Sequence, residues 1–268
     1  MLRSAICRRE HFDSEWYARS AALIGIQPGV RRELNPPSYR KLWEWCAILE
    51  ALHSRDMLRL GRRGLGFAVG SEPLPSALAA RGVDVLATDL KADESGRWLG
   101  SGQNAGSLEA LWHAGLVDEQ GFRDRVRFQP ADMRDLSAFP SETFDFVWSS
   151  CALEHVGTLE DGWKFVLEAM RLVKPGGVAV HTTEYNLSSN DETVSEQDCL
   201  YRKRDVEDLD RMLRPLRCGL AAMDWDCGTH FDDLDFDVPP YFQGTSPHIK
   251  LMLDGFISTS MLLVIHKA

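Results

Sequence analysis

Three residues of this chain follow successive apolar runs: Gly70 closes residues 65–69, Asp89 closes 83–88, and Asp132 comes just after 126–128. A carboxylate at the end of a strand accepts both hydroxyls of a ribose, because each oxygen offers lone pairs. Asp89, followed by Leu90, is placed for that. Asp132 is placed to accept from an exocyclic adenine amine, and Met133 beside it can cover the ring. Together they outline an adenosine-shaped ligand. The turn at 70–74, Gly-Ser-Glu-Pro-Leu, narrows it further. Only Gly70 there offers the free backbone approach that a pyrophosphate cradle uses repeatedly. Glu72 repels a phosphate and attracts a cation, so a sulfonium with an ammonium group fits better than a dinucleotide. Gly64 and Gly66 are spaced glycines too, but they fall inside an apolar strand with no helix starting among them. The ligand these residues favour is S-adenosylmethionine over NAD.

Further candidates follow the later runs. His155, with an ordinary pKa of about 6.5, can take a proton from a hydroxyl near neutral pH; the bland alternative is that Glu154 and His155 start a helix and hold structure. Glu184 and Tyr185 face the same mouth as acceptor contacts, with Asn186 either beside them or shaping the turn. Asp224, Asp226, His230, Asp232, Asp233, Asp235 and Asp237 form an acidic stretch. Such carboxylates hold hard cations in some proteins, but the spacing is not that of an EF-hand and charge runs are usually solvated faces. No metal is expected, and the tryptophans, Trp43 and Trp45 among them, read as core.

The elements that must position these residues alternate. Apolar runs at 65–69, 83–88, 126–128, 144–149 and 178–182 read as strands, each ending in Gly, Asp or Ser. Between them, 76–81 and the face of Trp163, Val166, Leu167 and Met170 read as helices, the second stopped by Lys174-Pro175-Gly176-Gly177. That alternation implies a mostly parallel sheet with helices on both faces. In such sheets ligands sit beyond the carboxyl ends of the strands, where strand order reverses. Before them, Pro36-Pro37-Ser38 reads as a helix start with Ser38 as N-cap. Leu42, Trp45, Cys46, Leu49 and Leu52 then mark its apolar face. After them, Val206, Leu209 and Leu213 suggest a helix. The apolar runs 249–253 and 256–265, joined by Asp254-Gly255, are a hairpin signal. Residues 1–62 form a helical lead-in or cap, 63–268 the main domain, and 187–248 an insertion covering the acceptor. Tyr201, Arg202, Arg204 and Tyr241 are its expected exposed groups.

Composition excludes several classes. With 268 residues the chain makes one large domain or two small ones, at ~150 residues per domain. A net charge of -10, from 30 Lys and Arg against 40 Asp and Glu, argues against a phosphate-backbone face. No apolar run reaches the ~20 residues of a spanning helix, and the first residues carry no signal-peptide core. Six scattered cysteines without a Cys-x-x-Cys pair argue against a zinc knuckle and for a reduced cytoplasmic setting.

Residues 64–185 resemble a class I S-adenosylmethionine-dependent methyltransferase of the bacterial small-molecule or glycan type. The resemblance rests on Gly-Phe-Ala-Val-Gly-Ser-Glu-Pro-Leu (66–74), Val-Leu-Ala-Thr-Asp-Leu (85–90) and Ala-Asp-Met (131–133). It also rests on Phe-Asp-Phe-Val-Trp-Ser-Ser-Cys-Ala-Leu-Glu-His-Val (144–156) and Leu-Val-Lys-Pro-Gly-Gly (172–177). It implies a Rossmann-like α/β fold, with a seven-stranded sheet whose last strand is antiparallel. It also implies cofactor contacts at Gly70, Asp89 and Asp132 and near Ser150 and Cys151. The family usually has an acid where Ala68 stands and glycines where Glu72 and Leu74 stand, and Glu72 can replace the missing acid as partner of the methionine ammonium. The expected activity is methyl transfer from S-adenosylmethionine to a small-molecule or glycan-like acceptor, first on oxygen. The rival readings are a non-catalytic domain that binds the same cofactor and an aminopropyltransferase.

Overall fold

The computed structural model describes residues 1–26, 38–91, 104–243 and 247–268. From the middle of the sheet, β2 (Arg63–Phe67), β3 (Asp84–Asp89) and β4 (Val126–Pro130) step outward in parallel. The chain then returns and lays β5 (Phe144–Ser150) and β6 (Val173–Asn186) parallel on the other flank of β2. Strand order therefore reverses between β2 and β5, and the ligand crevice of such a sheet opens above that boundary.

Both faces of these strands are covered, which is why they read as apolar runs rather than as alternations. On one face lie α1 (Glu15–Leu23), α2 (Arg40–His53) and α3 (Leu74–Ala79); on the other lie α5 (Leu159–Leu172) and α6 (Lys203–Leu213). Between α3 and β4 the chain also forms α4 (Glu119–Arg125). Phe146 and Trp148 of β5 turn to the α2 side and Val147 to the α5 side. The rings need room on the neighbouring strand. Gly64 and Gly66 of β2 stand opposite Phe146 and Trp148, and a Cβ on Gly66 would meet the Trp148 ring at 2.3 Å. These glycines serve packing, as their place within an apolar strand implied. On the opposite layer α5 is started by a reciprocal cap between Thr158 and Asp161, which satisfies two backbone donors otherwise left open at a helix start.

The antiparallel close of the sheet is β9 (Lys250–Leu253) and β10 (Phe256–Lys267), with β10 paired to β6 along nine residue pairs. Asp254 (φ 47°) and Gly255 (φ 86°) both take left-handed backbone, the geometry of the two-residue turn that matches strand twist. The outer edge of β10 is shared end to end by β9, β1 (Ser4–Ile6) and β7 (Cys218–Leu220), and β8 (Met223–Asp224) adds beyond β1. The seven-rung plan is thus present, with its last rung divided, and the sheet counts ten strands among the described residues. β1, β7 and β8 were not expected from sequence; at two or three residues they are too short to show a period.

One cap expectation fails. Tyr39, in extended backbone, is the N-cap of α2, and no side chain caps it. Ser38 lies one residue too early, and the α2 start is instead held by the Arg40 amide donating to the His248 carbonyl at 3.1 Å. Pro36 and Pro37 lie outside the described residues.

Candidate cofactor and acceptor site

At the carboxyl end of β2 the backbone turns through Ala68 (φ 48°) and Gly70 (φ 52°). The Gly70 amide donates to Asp89 Oδ2 at 2.9 Å, which joins the first two strand ends directly. Asp89 is buried, and its oxygens are fully engaged. Oδ2 also accepts from the Ala105 amide at 2.9 Å; Oδ1 accepts from the Leu90 amide at 2.8 Å and Asn104 Nδ2 at 3.0 Å. Burial pushes this carboxyl above its ordinary range despite those four bonds. The third strand end hangs on the same residue, since the Ala131 amide donates to the Asp89 carbonyl at 2.8 Å. Asp132 itself is partly exposed and clasped by its neighbour Arg134, at 2.5 Å between Oδ2 and Nη2. Met133 is buried, in the apolar cluster with Leu136 and Phe139.

Glu72 is neither solvated nor in the open turn. Its side chain is buried, and Oε1 accepts from Trp148 Nε1 at 2.7 Å. Burial pushes its carboxyl well above the ordinary range, and the charges of Asp89 and Glu44 push the same way. An acid under such pressure is eased by the arrival of a cation.

Beside this, where β5 and β6 end, lies a buried polar cluster delivered by four elements. From β5 come Ser150 and, at a strained φ of 46°, Cys151. The single-turn helix Leu153–His155 adds Glu154, β6 adds Thr182, Thr183 and Glu184, and β10 adds Ser258 and Ser260. The start of α2 lies across them with Arg40, Lys41 and Glu44. Arg40 Nη1 reaches Glu184 Oε1 at 2.6 Å and Ser260 Oγ at 3.0 Å. Lys41 Nζ lies against Cys151 Sγ and 3.1 Å from Glu44 Oε1. Cys151 Sγ meets Glu154 Oε1 at 2.5 Å, and Glu154 Oε2 accepts from Thr183 at 2.9 Å. Burial raises Glu184's pKa, but Arg40 and Lys41 outweigh it and hold the carboxyl ionised, below the usual range. Glu154 goes the other way, raised by burial. Two neighbouring carboxyls are thus pushed apart, a pattern that separates acid from base in reactive sites.

This geometry can be set against known proteins. Residues 65–181 match the family described as a methyltransferase domain. Residues 65–181 are a methyltransferase domain. The ubiquinone biosynthesis O-methyltransferase of Psychrobacter arcticus is 28% identical over 173 residues, covering 63% of this chain and 58% of that one. The malonyl-[acyl-carrier protein] O-methyltransferase of Enterobacter lignolyticus is 32% identical over 118 residues, covering 40% and 46%. The chain thus spans about half the length of the curated relatives it matches. In fold, a candidate methyltransferase of Bacillus halodurans C-125 superposes with a TM-score of 0.51 at 17% identity, covering 82% of this chain and 98% of that one.

Within the methyltransferase domain the expected residues divide. Gly70, Asp89 and Leu90 are joined by hydrogen bonds; Ser150, Cys151 and Glu184 belong to the polar cluster. Tyr185 lies half-buried against Trp225 on the α5 side, away from Cys151's partners. His155 Nδ1 is bonded to Asp198 Oδ1 at 2.7 Å. Tyr201 is a correction: expected exposed, it is fully buried and packed at a tilt against Trp163, with ring centroids 4.1 Å apart. Within the acidic stretch Asp224, Asp232 and Asp233 pair with the chain's own cations Arg8, Arg9 and Lys250, and Asp237 is hydrogen-bonded to His248, whose imidazole burial keeps toward its neutral form. Among the described residues, Cys151, Glu154 and Glu184 form the one cluster with metal-like spacing, and Arg40 and Lys41 already pair with its Glu184. All six cysteines are free thiols, and no described helix is long and apolar enough to cross a membrane.

Sequence reasoning missed Arg40, Lys41 and Glu44. The available signal was their position at the start of a helix whose remaining residues are almost all apolar.

Proposed function

We propose that the chain transfers a methyl group from S-adenosylmethionine to an oxygen of a small hydroxyl-bearing acceptor. The observation that carries this reading is the hydrogen bond joining Gly70 to Asp89 at the crossing of strand order, with the buried acid Glu72 two residues along the same turn and a charged cluster under α2. The donor set fits a cationic nucleoside. In this reading the Asp89 carboxylate exchanges some of its present donors, Asn104 Nδ2 among them, for the ribose hydroxyls, Glu72 meets the positively charged amino-acid end, and Asp132 and Met133 lie at the base. Bound there, S-adenosylmethionine supplies a methyl group already activated by its sulfonium. What this chain adds is alignment of the acceptor and management of its proton, and alignment alone accounts for much of a rate enhancement. Residues 1–62 and 187–248 are the parts that cover the acceptor, and α2 and the His248 contact belong to them. The curated relatives are named O-methyltransferases, which supports oxygen as the atom methylated. Ionised Glu184 and Lys41 are the acceptor-side groups in this reading.

The rival reading is a domain that binds the cofactor without turning it over. Calorimetry with S-adenosylmethionine, then assay of S-adenosylhomocysteine formation over a panel of phenols, sugars and acyl-chain acids, separates the two. Binding with product supports transfer, binding without product supports the second reading, and no binding overturns both.

A further inference from the structure

Above the polar cluster stands a set of rings that the strand-end residues do not explain. Phe242 is half exposed and takes a left-handed backbone (φ 65°), a costly conformation for a bulky residue. Its ring stacks on His248 with centroids 4.2 Å apart, and Tyr39 meets both rings, at 5.8 Å from Phe242 and 5.5 Å from His248. Asp237 holds the set together. Its Oδ2 accepts from the Phe242 amide at 3.0 Å and pairs with His248 Nδ1 at 2.8 Å. The platform is bolted to α2, because His248's carbonyl receives the Arg40 amide and Tyr39 is the residue before Arg40.

Two residues along the helix is Lys41. Arg40's charge is spent inside, with 5% of its side chain exposed, whereas Lys41 keeps 25% of its side chain exposed beside Cys151. The groups facing Lys41 are Arg40 and Glu44 of α2, Cys151 at the end of β5, and Glu184 of β6; Glu154 lies behind Cys151. Burial and Arg40 pull Lys41's pKa down, and Cys151, Glu44 and Glu184 more than restore it, so the ammonium stays charged. It is a fixed cation and not a base.

We propose that the acceptor is a planar ring bearing a phenol-type hydroxyl, that the exposed Phe242 ring, backed by buried His248 and flanked by Tyr39, receives its face, and that Lys41 stabilises its oxygen as the phenolate. This rests on the methyl-transfer reading and deepens it. The chemistry discriminates between acceptor classes. An opposite charge at contact lowers an acid's pKa by about 1–3 units. That brings a phenol, near 10 when free, into reach of neutral pH. An alkyl hydroxyl, nearer to water at about 15.7, stays protonated. The phenol O–H gives its proton to water. The oxygen's electron pair then forms the bond to the methyl carbon, and the pair of the broken carbon–sulfur bond stays on sulfur.

The test uses para-nitrophenol, whose colour reports its ionisation, titrated with the full chain across pH in the presence of S-adenosylhomocysteine. The expected result is a bound pKa at least about one unit below the free one. Lys41→Met abolishes the shift, Lys41→Arg keeps it, and Phe242→Ala, at an exposed site, weakens probe binding roughly tenfold. A bound probe with an unshifted pKa, a shift that survives Lys41→Met in protein that Lys41→Arg shows can fold, or no probe binding at all overturns the proposal. Calorimetry with S-adenosylmethionine on the same samples keeps the two readings apart. Cofactor binding without probe binding sinks only the acceptor assignment; loss of cofactor binding in the unmodified chain sinks methyl transfer.

Discussion

Replacing Glu72 by Gln tests the cofactor site through two measurements that must move in opposite directions. The Glu72 carboxyl accepts from Trp148 Nε1 at 2.7 Å inside the protein, and the charges acting on it, Asp89 and Glu44, are negative. Burial and these neighbours raise its pKa, so without ligand the neutral acid is favoured. The sign of the linkage follows. The folded state holds the proton more tightly than the unfolded chain, so Glu72's contribution falls as pH rises from about 4.3 through the raised value. Each unit of that rise corresponds to about 1.4 kcal/mol. Gln keeps an acceptor for the Trp148 indole and cannot ionise. Glu72→Gln therefore gains stability relative to the parent as pH rises above about 4.3 toward the raised value. Cofactor affinity goes the other way. A hydrogen bond to a charged group contributes about 1.5–3 kcal/mol, so the variant binds S-adenosylmethionine roughly 10- to 150-fold more weakly. The parent also releases a proton on binding, because Glu72 must ionise to meet the ammonium; calorimetry in two buffers of different ionisation enthalpy reads this directly. Unchanged affinity and unchanged proton release in Glu72→Gln would refute the reasoning, even if the stability result came out as expected.

Three other outcomes are expected. Gly66→Ala places a Cβ 2.3 Å from the Trp148 ring and 2.6 Å from Val69, so urea titration followed by tryptophan fluorescence should give a loss of about 1–3 kcal/mol; an unaltered midpoint would mean the ring moves freely. Arg40→Met leaves Glu184 buried without its 2.6 Å partner and should cost about 3–5 kcal/mol, whereas Arg40→Met with Glu184→Leu should recover most of it; equal losses in the single and double variants would show that the pair does not act as a unit. His155→Ala should leave cofactor affinity intact and turnover within about threefold, because its Nδ1 is bonded to Asp198 and its Nε2 faces Glu154 Oε1 at 3.9 Å, whereas removal of a true general base costs about 100- to 10,000-fold.

How far the sequence carried depended on how local each determinant is. Every long parallel strand announced itself, since burial on both faces leaves an unbroken apolar run and the run must end where the backbone turns at Gly70, Asp89 or Ser150. The hairpin was equally plain, because Asp254-Gly255 is chemistry for two consecutive positive φ values. The strands at Ser4–Ile6, Cys218–Leu220 and Met223–Asp224 carry no such mark. They exist because β10 runs twelve residues and offers an open edge, and an edge takes whatever short segment the tertiary fold brings alongside. Glu72 was singled out as an acid in a turn that usually holds glycine, but nothing nearby in sequence reveals that Trp148, on another strand, draws it inside.

The acceptor side was the least legible, for a reason that α2 makes concrete. Charges at the start of a helix normally read as a solvated end, and Arg40, Lys41 and Glu44 fit that habit. Yet from Leu42 to Leu52 the helix buries nearly every residue, and a helix apolar all round has no solvent face on which to rest a charge. Arg40, Lys41 and Glu44, like Glu50 farther along with its partner Arg19, therefore had to find partners within the protein. Arg40 and Glu44 are one turn apart and of opposite sign, but at 3.6 Å they do not satisfy each other. Their closer partners are Glu184, Ser260 and Thr182, supplied by the strands that form the mouth. A largely buried helix that begins with a cluster of charges thus points toward the open end of the sheet, where paired charges can meet a ligand as well as each other.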